Sequence, residues 1–100
     1  MGSKRDGDVA WLTELRVEIE ANDRSIVERR AARVELARAV GRAKRQAGLP
    51  TLDPRREAAV VRRAAALGRA AGLSGEGVRD IFWQVIGLCR RAQLDEADAE

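Results

Sequence analysis

Histidine and tyrosine are absent from this chain of 100 residues. Without histidine there can be no His-based catalytic triad and no His-ligated zinc centre. The single cysteine, Cys89, cannot close an internal disulfide, which suits a reducing cytoplasm. Only three residues are aromatic, Trp11, Phe82 and Trp83. No apolar run approaches the ~18 residues that a membrane span requires, and the N-terminus carries no apolar signal region, so no membrane partner is expected. The available chemistry is that of Arg, Lys, Asp, Glu and Gln, and nothing in the chain calls for a metal or a cofactor.

What is present bounds the fold. One hundred residues make one domain at most, since domains commonly run to about 100–200 residues. With 45% hydrophobic and 35% charged residues the chain can fold, though around a thin core. Nineteen Lys and Arg against sixteen Asp and Glu leave a formal charge of +3 and a pI near 10.0. That balance favours an anionic partner but is mild.

The chain reads as all helix. No Gly or Pro stands between Asp8 and Val40, where good helix formers dominate. Apolar residues recur close to a three-four repeat at Leu12, Leu15, Ile19, Ile26, Leu36, Val40, Ala43 and Ala47. The first stop is Gly48-Leu49-Pro50, a C-cap glycine followed by proline. Asp53 as N-cap with Pro54 at the first helical position opens a second helix through Val60, Val61 and Leu67 to Gly72. Ser74 caps a third, with Val78, Ile81, Phe82, Val85, Ile86 and Cys89 on its apolar side. Residues 1–8 are expected to be a disordered terminus or an expression remnant, 9–94 the helical domain, and 95–100 an acidic, fraying tail. Ser25-Ile26-Val27-Glu28 fits a capping box, so helices over 10–22 and 26–47 are an alternative to one long helix. A continuous helix of roughly 38 residues would span about 57 Å, against a radius of gyration of about 13 Å for a compact domain of this size. Two shorter helices cannot cover its apolar stripe, so a homodimer is expected.

Charges stand where that stripe calls for aliphatics. Arg33 lies in a sevenfold register with Leu12, Ile19, Ile26 and Val40. Lys44, eleven residues on, falls only ~20° away around the helix and about 16 Å along it, so the two cations could line a buried anion site. Arg16 lies about 100° from that face and could serve the equivalent pocket of a partner chain. Asp53, Arg56 and Glu57 share the first turn of the second helix, and Cys89 and Gln93 continue the core-facing stripe of the third at i and i+4. Taken singly each has a plain reading: snorkelling or solvated cations, an N-cap, a small core thiol, a surface amide.

In order and spacing these residues resemble the all-helical bacterial class of chorismate mutases. The match runs from Leu15-Arg16-Val17-Glu18-Ile19 through Asp23, Arg33 and Gly41-Arg42-Ala43-Lys44. It continues through Leu49-Pro50-Thr51-Leu52-Asp53 and Arg56-Glu57 to Gly72-Leu73, Ile81-Phe82 and Gln93, covering about residues 10–94. The resemblance implies an all-α, intertwined homodimeric bundle of three-helix chains with a long first helix. It also implies a cytoplasmic enzyme converting chorismate to prephenate. By resemblance, Arg16 from the partner chain and Arg33 clamp the substrate carboxylates. Lys44 is shared between a carboxylate and the ether oxygen, and Gln93 is the second donor to that oxygen. Glu57 and the backbone at Asp53 meet the ring hydroxyl, with Arg56 in support. A [3,3] rearrangement needs no nucleophile, metal or proton transfer, so a chain without histidine can catalyse it.

Three departures from the family pattern stand out. Cys89 replaces a small polar residue, usually Ser; a thiol is a weak donor, so a carboxylate contact is weakened or lost. Arg29 and Arg30 replace leucines, and Asn22 an aliphatic. They leave room for a drifted substrate preference or for dependence on a larger shikimate-pathway partner enzyme. Rival readings are an isochorismate pyruvate-lyase, disfavoured by the Arg56-Glu57 pair, a 4-amino-4-deoxychorismate mutase, or a non-catalytic helical partner-binding domain. Arg29-Arg30, Arg62-Arg63 and Arg90-Arg91 are scattered over three helices without interleaved aromatics, so nucleic acid is not expected as a partner.

Overall fold

A computed structural model describes residues 3–99, and those residues form three helices: α1 (Ser3–Gln46), α2 (Pro54–Ala70) and α3 (Gly75–Ala99). Among the described residues there is no strand. Residues 25–28 lie inside α1, so the alternative break at the capping box does not occur. No proline interrupts that stretch, and a capping box is worth less than the i→i−4 bonds a break would sacrifice. Residues 3–8, expected within a disordered terminus, are helical backbone; Met1 and Gly2 of that stretch lie outside the described residues. α3 continues through the acidic tail to Ala99, with Glu96 paired to Arg42 of α1. Glu100 lies outside the described residues.

The helix ends follow local chemistry. Gly48 and Gly72 take positive φ values of 70° and 84°, which an L side chain adopts only at a cost. Both make the same C-terminal lock. At α1, Leu49 N–H donates to Lys44 O (2.8 Å) and Gly48 N–H to Arg45 O (3.2 Å). At α2, Leu73 N–H donates to Gly68 O (2.8 Å) and Gly72 N–H to Arg69 O (3.0 Å). This 6→1 and 5→2 pairing satisfies carbonyls that the helix itself leaves open. Asp53 caps α2 by accepting from Arg56 N–H at 3.1 Å, with Pro54 behind it in the first turn. Ser74 Oγ accepts from Gly77 N–H at 3.1 Å and opens α3.

The chain divides into two compact units, residues 1–32 and 33–100. In the first, every residue from Val9 to Arg29 is exposed, including Leu12, Leu15, Ile19 and Ile26. Among the described side chains of this unit none is buried.

The second unit holds the end of α1 with α2 and α3. Helices α2 and α3 form an antiparallel hairpin, since Gly68 meets Val78 near the turn and Glu57 meets Arg90 far from it. The closing of that hairpin depends on a small residue: a Cβ on Gly68 would lie 2.5 Å from Val78 Cγ2. The end of α1 runs parallel to α3, because Arg33 reaches Cys89 and Ala37 reaches Gln93 at the same offset of 56 residues. Buried residues are small or medium: Ala37, Val61, Ala64, Ala65, Val85, Ile86, Cys89 and Ala92. Of the residues of this unit expected on apolar faces, Leu36, Val40, Ala43, Ala47, Leu67 and Ile81 are exposed. Close approach of small residues, not bulky side chains, makes this core.

Candidate active site

A cavity of about 450 Å³ opens within the second unit, and residues of all three helices line it. Its apolar part comes from Ala37 and Val40 of α1, Val60 of α2 and Ile86 of α3. The polar part combines Arg33 and Lys44 of α1, Asp53, Arg56 and Glu57 at the start of α2, and Cys89 and Gln93 of α3. Seven residues singled out from the sequence are thus brought to one place. The eighth, Arg16, is exposed in the first unit and is not a lining residue.

The i, i+4 spacing of Cys89 and Gln93 matters here because α1 runs parallel to α3 at a matching offset. Cys89, buried, accepts from Arg33 Nη1 at 3.1 Å. One turn on, Gln93 Nε2 donates to Ala37 O at 2.9 Å. An amide nitrogen carries two N–H groups, so this anchor leaves one for a ligand. The anchor is possible because Gly41, buried in α1, has no side chain: a Cβ there would stand 3.1 Å from Gln93 Cγ. Lys44 Nζ donates to Thr51 O at 3.1 Å. That bond ties the ammonium to the α1–α2 connection and leaves two further N–H groups.

Glu57 is held by an unforeseen partner. Arg90 donates through Nε to Glu57 Oε2 at 3.2 Å and through Nη2 to Glu57 Oε1, a two-pronged grip from α3 onto α2. Arg90 and Arg63 both line the cavity, whereas Arg62 and Arg91, their sequence neighbours, do not. Both carried a signal in the sequence. Arg90 precedes Gln93 by three positions, and Arg63 follows Arg56 by seven, so each shares the face of a residue already singled out. Thr51 contributes a backbone carbonyl, for which side-chain identity gives no sign.

The electrostatics follow from the lining. Arg33, Lys44, Arg56, Arg63 and Arg90 face Asp53 and Glu57, a surplus of three positive charges over a partly apolar floor. Such a site suits a compact, partly apolar anion: planar guanidinium groups match carboxylate geometry, and an apolar wall strengthens each contact. Among the described residues no cluster of three or more Cys, Asp and Glu is arranged to hold a metal ion. No helix of the described residues is long and apolar enough to cross a membrane.

A family model described as chorismate mutase type II matches residues 15–94. The T-protein of Haemophilus influenzae is 37% identical over 71 residues, which cover 71% of this chain and 19% of that protein. The T-protein of Enterobacter agglomerans is 33% identical over 78 residues, 78% of this chain and 21% of that protein. The chain spans about a fifth of the length of these curated relatives.

Proposed function

The chain belongs to the chorismate mutase type II family, and from that membership we propose that it catalyses the rearrangement of chorismate to prephenate in the cytoplasm as an intertwined homodimer. The observation that carries the reading is the convergence of Arg33, Lys44, Glu57 and Gln93 from three helices on one cationic cavity. In this reaction an ether C–O bond breaks as a C–C bond forms, with no proton transferred and no covalent enzyme intermediate. Catalysis is then a matter of holding a flexible dianion in its reactive fold and stabilising charge where it develops.

Each residue has a part in that task. Arg33 grips one carboxylate, and Arg16 of a second copy grips the other. Lys44 and the free N–H of Gln93 meet the ether oxygen as negative charge builds on it; one such preorganised donor is typically worth about 2.7–4 kcal/mol of barrier. Glu57 accepts from the ring hydroxyl beside the backbone at Asp53, and Arg56 supports that end. Cys89 lines the carboxylate end, where its sulfur already engages Arg33.

The dimer rests on exposed apolar surface. Leu12, Leu15, Ile19 and Ile26 lie on one stripe of α1, exposed by 42%, 37%, 58% and 54%. A contiguous apolar stripe of this kind needs a cover, and a second copy supplies one while bringing Arg16 to the cavity. The test is an assay of chorismate loss with prephenate identified as product, together with a solution mass. A monomer, or a dimer that consumes no chorismate, overturns the reading.

A further inference from the structure

We propose that Arg90 determines which substituent the cavity accepts opposite Glu57, admitting a neutral hydroxyl donor and refusing a primary ammonium. The inference rests on the mutase reading and goes beyond it, to a choice between two dianion-like substrates that differ at one group.

Three observations carry it. First, both oxygens of the Glu57 carboxylate accept from one guanidinium: Nε to Oε2 at 3.2 Å and Nη2 to Oε1. The fork uses one lone-pair direction on each oxygen, so the carboxylate can still accept an O–H. Its charge, however, is already matched. Second, both partners line the cavity, and the Glu57 side chain is only 19% exposed against 41% for Arg90. A ligand group that meets the carboxylate in this cavity therefore lies beside the guanidinium as well. Third, cationic side chains outnumber anionic ones in the lining by three. A third carboxylate able to offset a ligand's positive charge is not among them.

A bare carboxylate would favour an ammonium over a hydroxyl, because it gains a charge–charge attraction in addition to the hydrogen bond. With Arg90 clasping it, an ammonium at the same place would sit within a few ångströms of a guanidinium and gain no net attraction. A hydroxyl gains its hydrogen bond in either case. Specificity here arises from a repulsive element built behind an attractive one. An ion pair this exposed adds little to stability, so its consequence lies in the potential it sets inside the cavity. Arg90 acts through Glu57 and is a positioning residue.

The test compares kcat/KM at neutral pH for chorismate and for its analogue with an amine in place of the ring hydroxyl. Both are measured with the full chain and with Arg90→Gln and Arg90→Lys. Arg90→Gln removes the charge and should move the hydroxyl-to-amine ratio at least tenfold toward the amine; Arg90→Lys keeps the charge and should leave the ratio within about threefold. An active Arg90→Gln enzyme whose two rates fall together at constant ratio overturns the proposal alone, since Arg90 would then grip a group common to both compounds. A wild-type chain that turns over neither compound overturns the mutase reading, and this proposal with it.

Discussion

Gly41→Ala separates stability from catalysis at a single atom. In an ordinary helix interior, glycine is about 0.5–1 kcal/mol less favourable than alanine, so the substitution should stabilise α1. Gly41 is not in an ordinary position. The new Cβ would stand 3.1 Å from Gln93 Cγ and 3.4 Å from Gln93 Cβ, where carbon pairs prefer about 3.5–4.0 Å. Gln93 would have to retreat by roughly half an ångström, straining its 2.9 Å bond to Ala37 O. A misplacement of about 1 Å can cost ~100-fold in rate, so half of that should cost about tenfold, or ~1.4 kcal/mol of barrier. Steady-state kinetics on chorismate should therefore show kcat down about tenfold, while thermal unfolding at one fixed protein concentration shifts little, propensity gain and crowding offsetting each other. Gly87→Ala is the matched control. Gly87 is exposed in α3 with nothing within 4 Å of its added Cβ, so the midpoint should rise by several degrees with turnover unchanged. A Gly41→Ala enzyme that keeps its full rate and gains the same stability as Gly87→Ala would refute the close-approach argument. Gln93 would then not be held by the bare backbone of α1.

Other substitutions test the rest of the site and the hairpin that supports it. Lys44→Ala should lower kcat by about 100- to 1,000-fold, the typical loss for one preorganised donor, with an unchanged helical circular dichroism spectrum; a near-normal rate would remove Lys44 from the ether oxygen. Gln93→Glu can donate only when its new carboxyl is protonated, so the pH–rate profile should shift to an acidic optimum, present at low pH and lost as pH rises. An unchanged profile would exclude Gln93 from donating in the transition state. Gly68→Ala forces a Cβ to within 2.5 Å of Val78 Cγ2, and the hairpin should lose about 1–3 kcal/mol in denaturant titration; unaltered stability would mean α2 and α3 can slide apart freely.

Much of the cavity was legible because α1 and α3 run parallel. Arg33 and Lys44 lie eleven residues apart on one face, Cys89 and Gln93 four apart on another, and a constant offset of 56 brings the two pairs into one cleft. The spacing is visible in the chain, but the offset is not. It follows from where Ala37 and Gly41 let α3 come close, and that depends on both helices at once. For the same reason Glu57 reads as an open carboxylate in the sequence and is clasped by Arg90 in the fold. The pairing needs the antiparallel register of α2 and α3, which the Gly68–Val78 contact sets.

The turns that end one helix and open the next were decided by the residues alone. Gly48, Asp53-Pro54, Gly72 and Ser74 each act on backbone groups within a few positions of themselves, so their effect does not wait for a tertiary partner. The tertiary structure decided which charges meet. Arg90 reaches Glu57 and Arg63 lines the cavity, while Arg62 and Arg91 do not. It also decided which apolar residues are buried, leaving Leu36, Leu67 and Ile81 exposed. Contacts between helices depend on distances set by packing along their whole length, and no local pattern contains those distances.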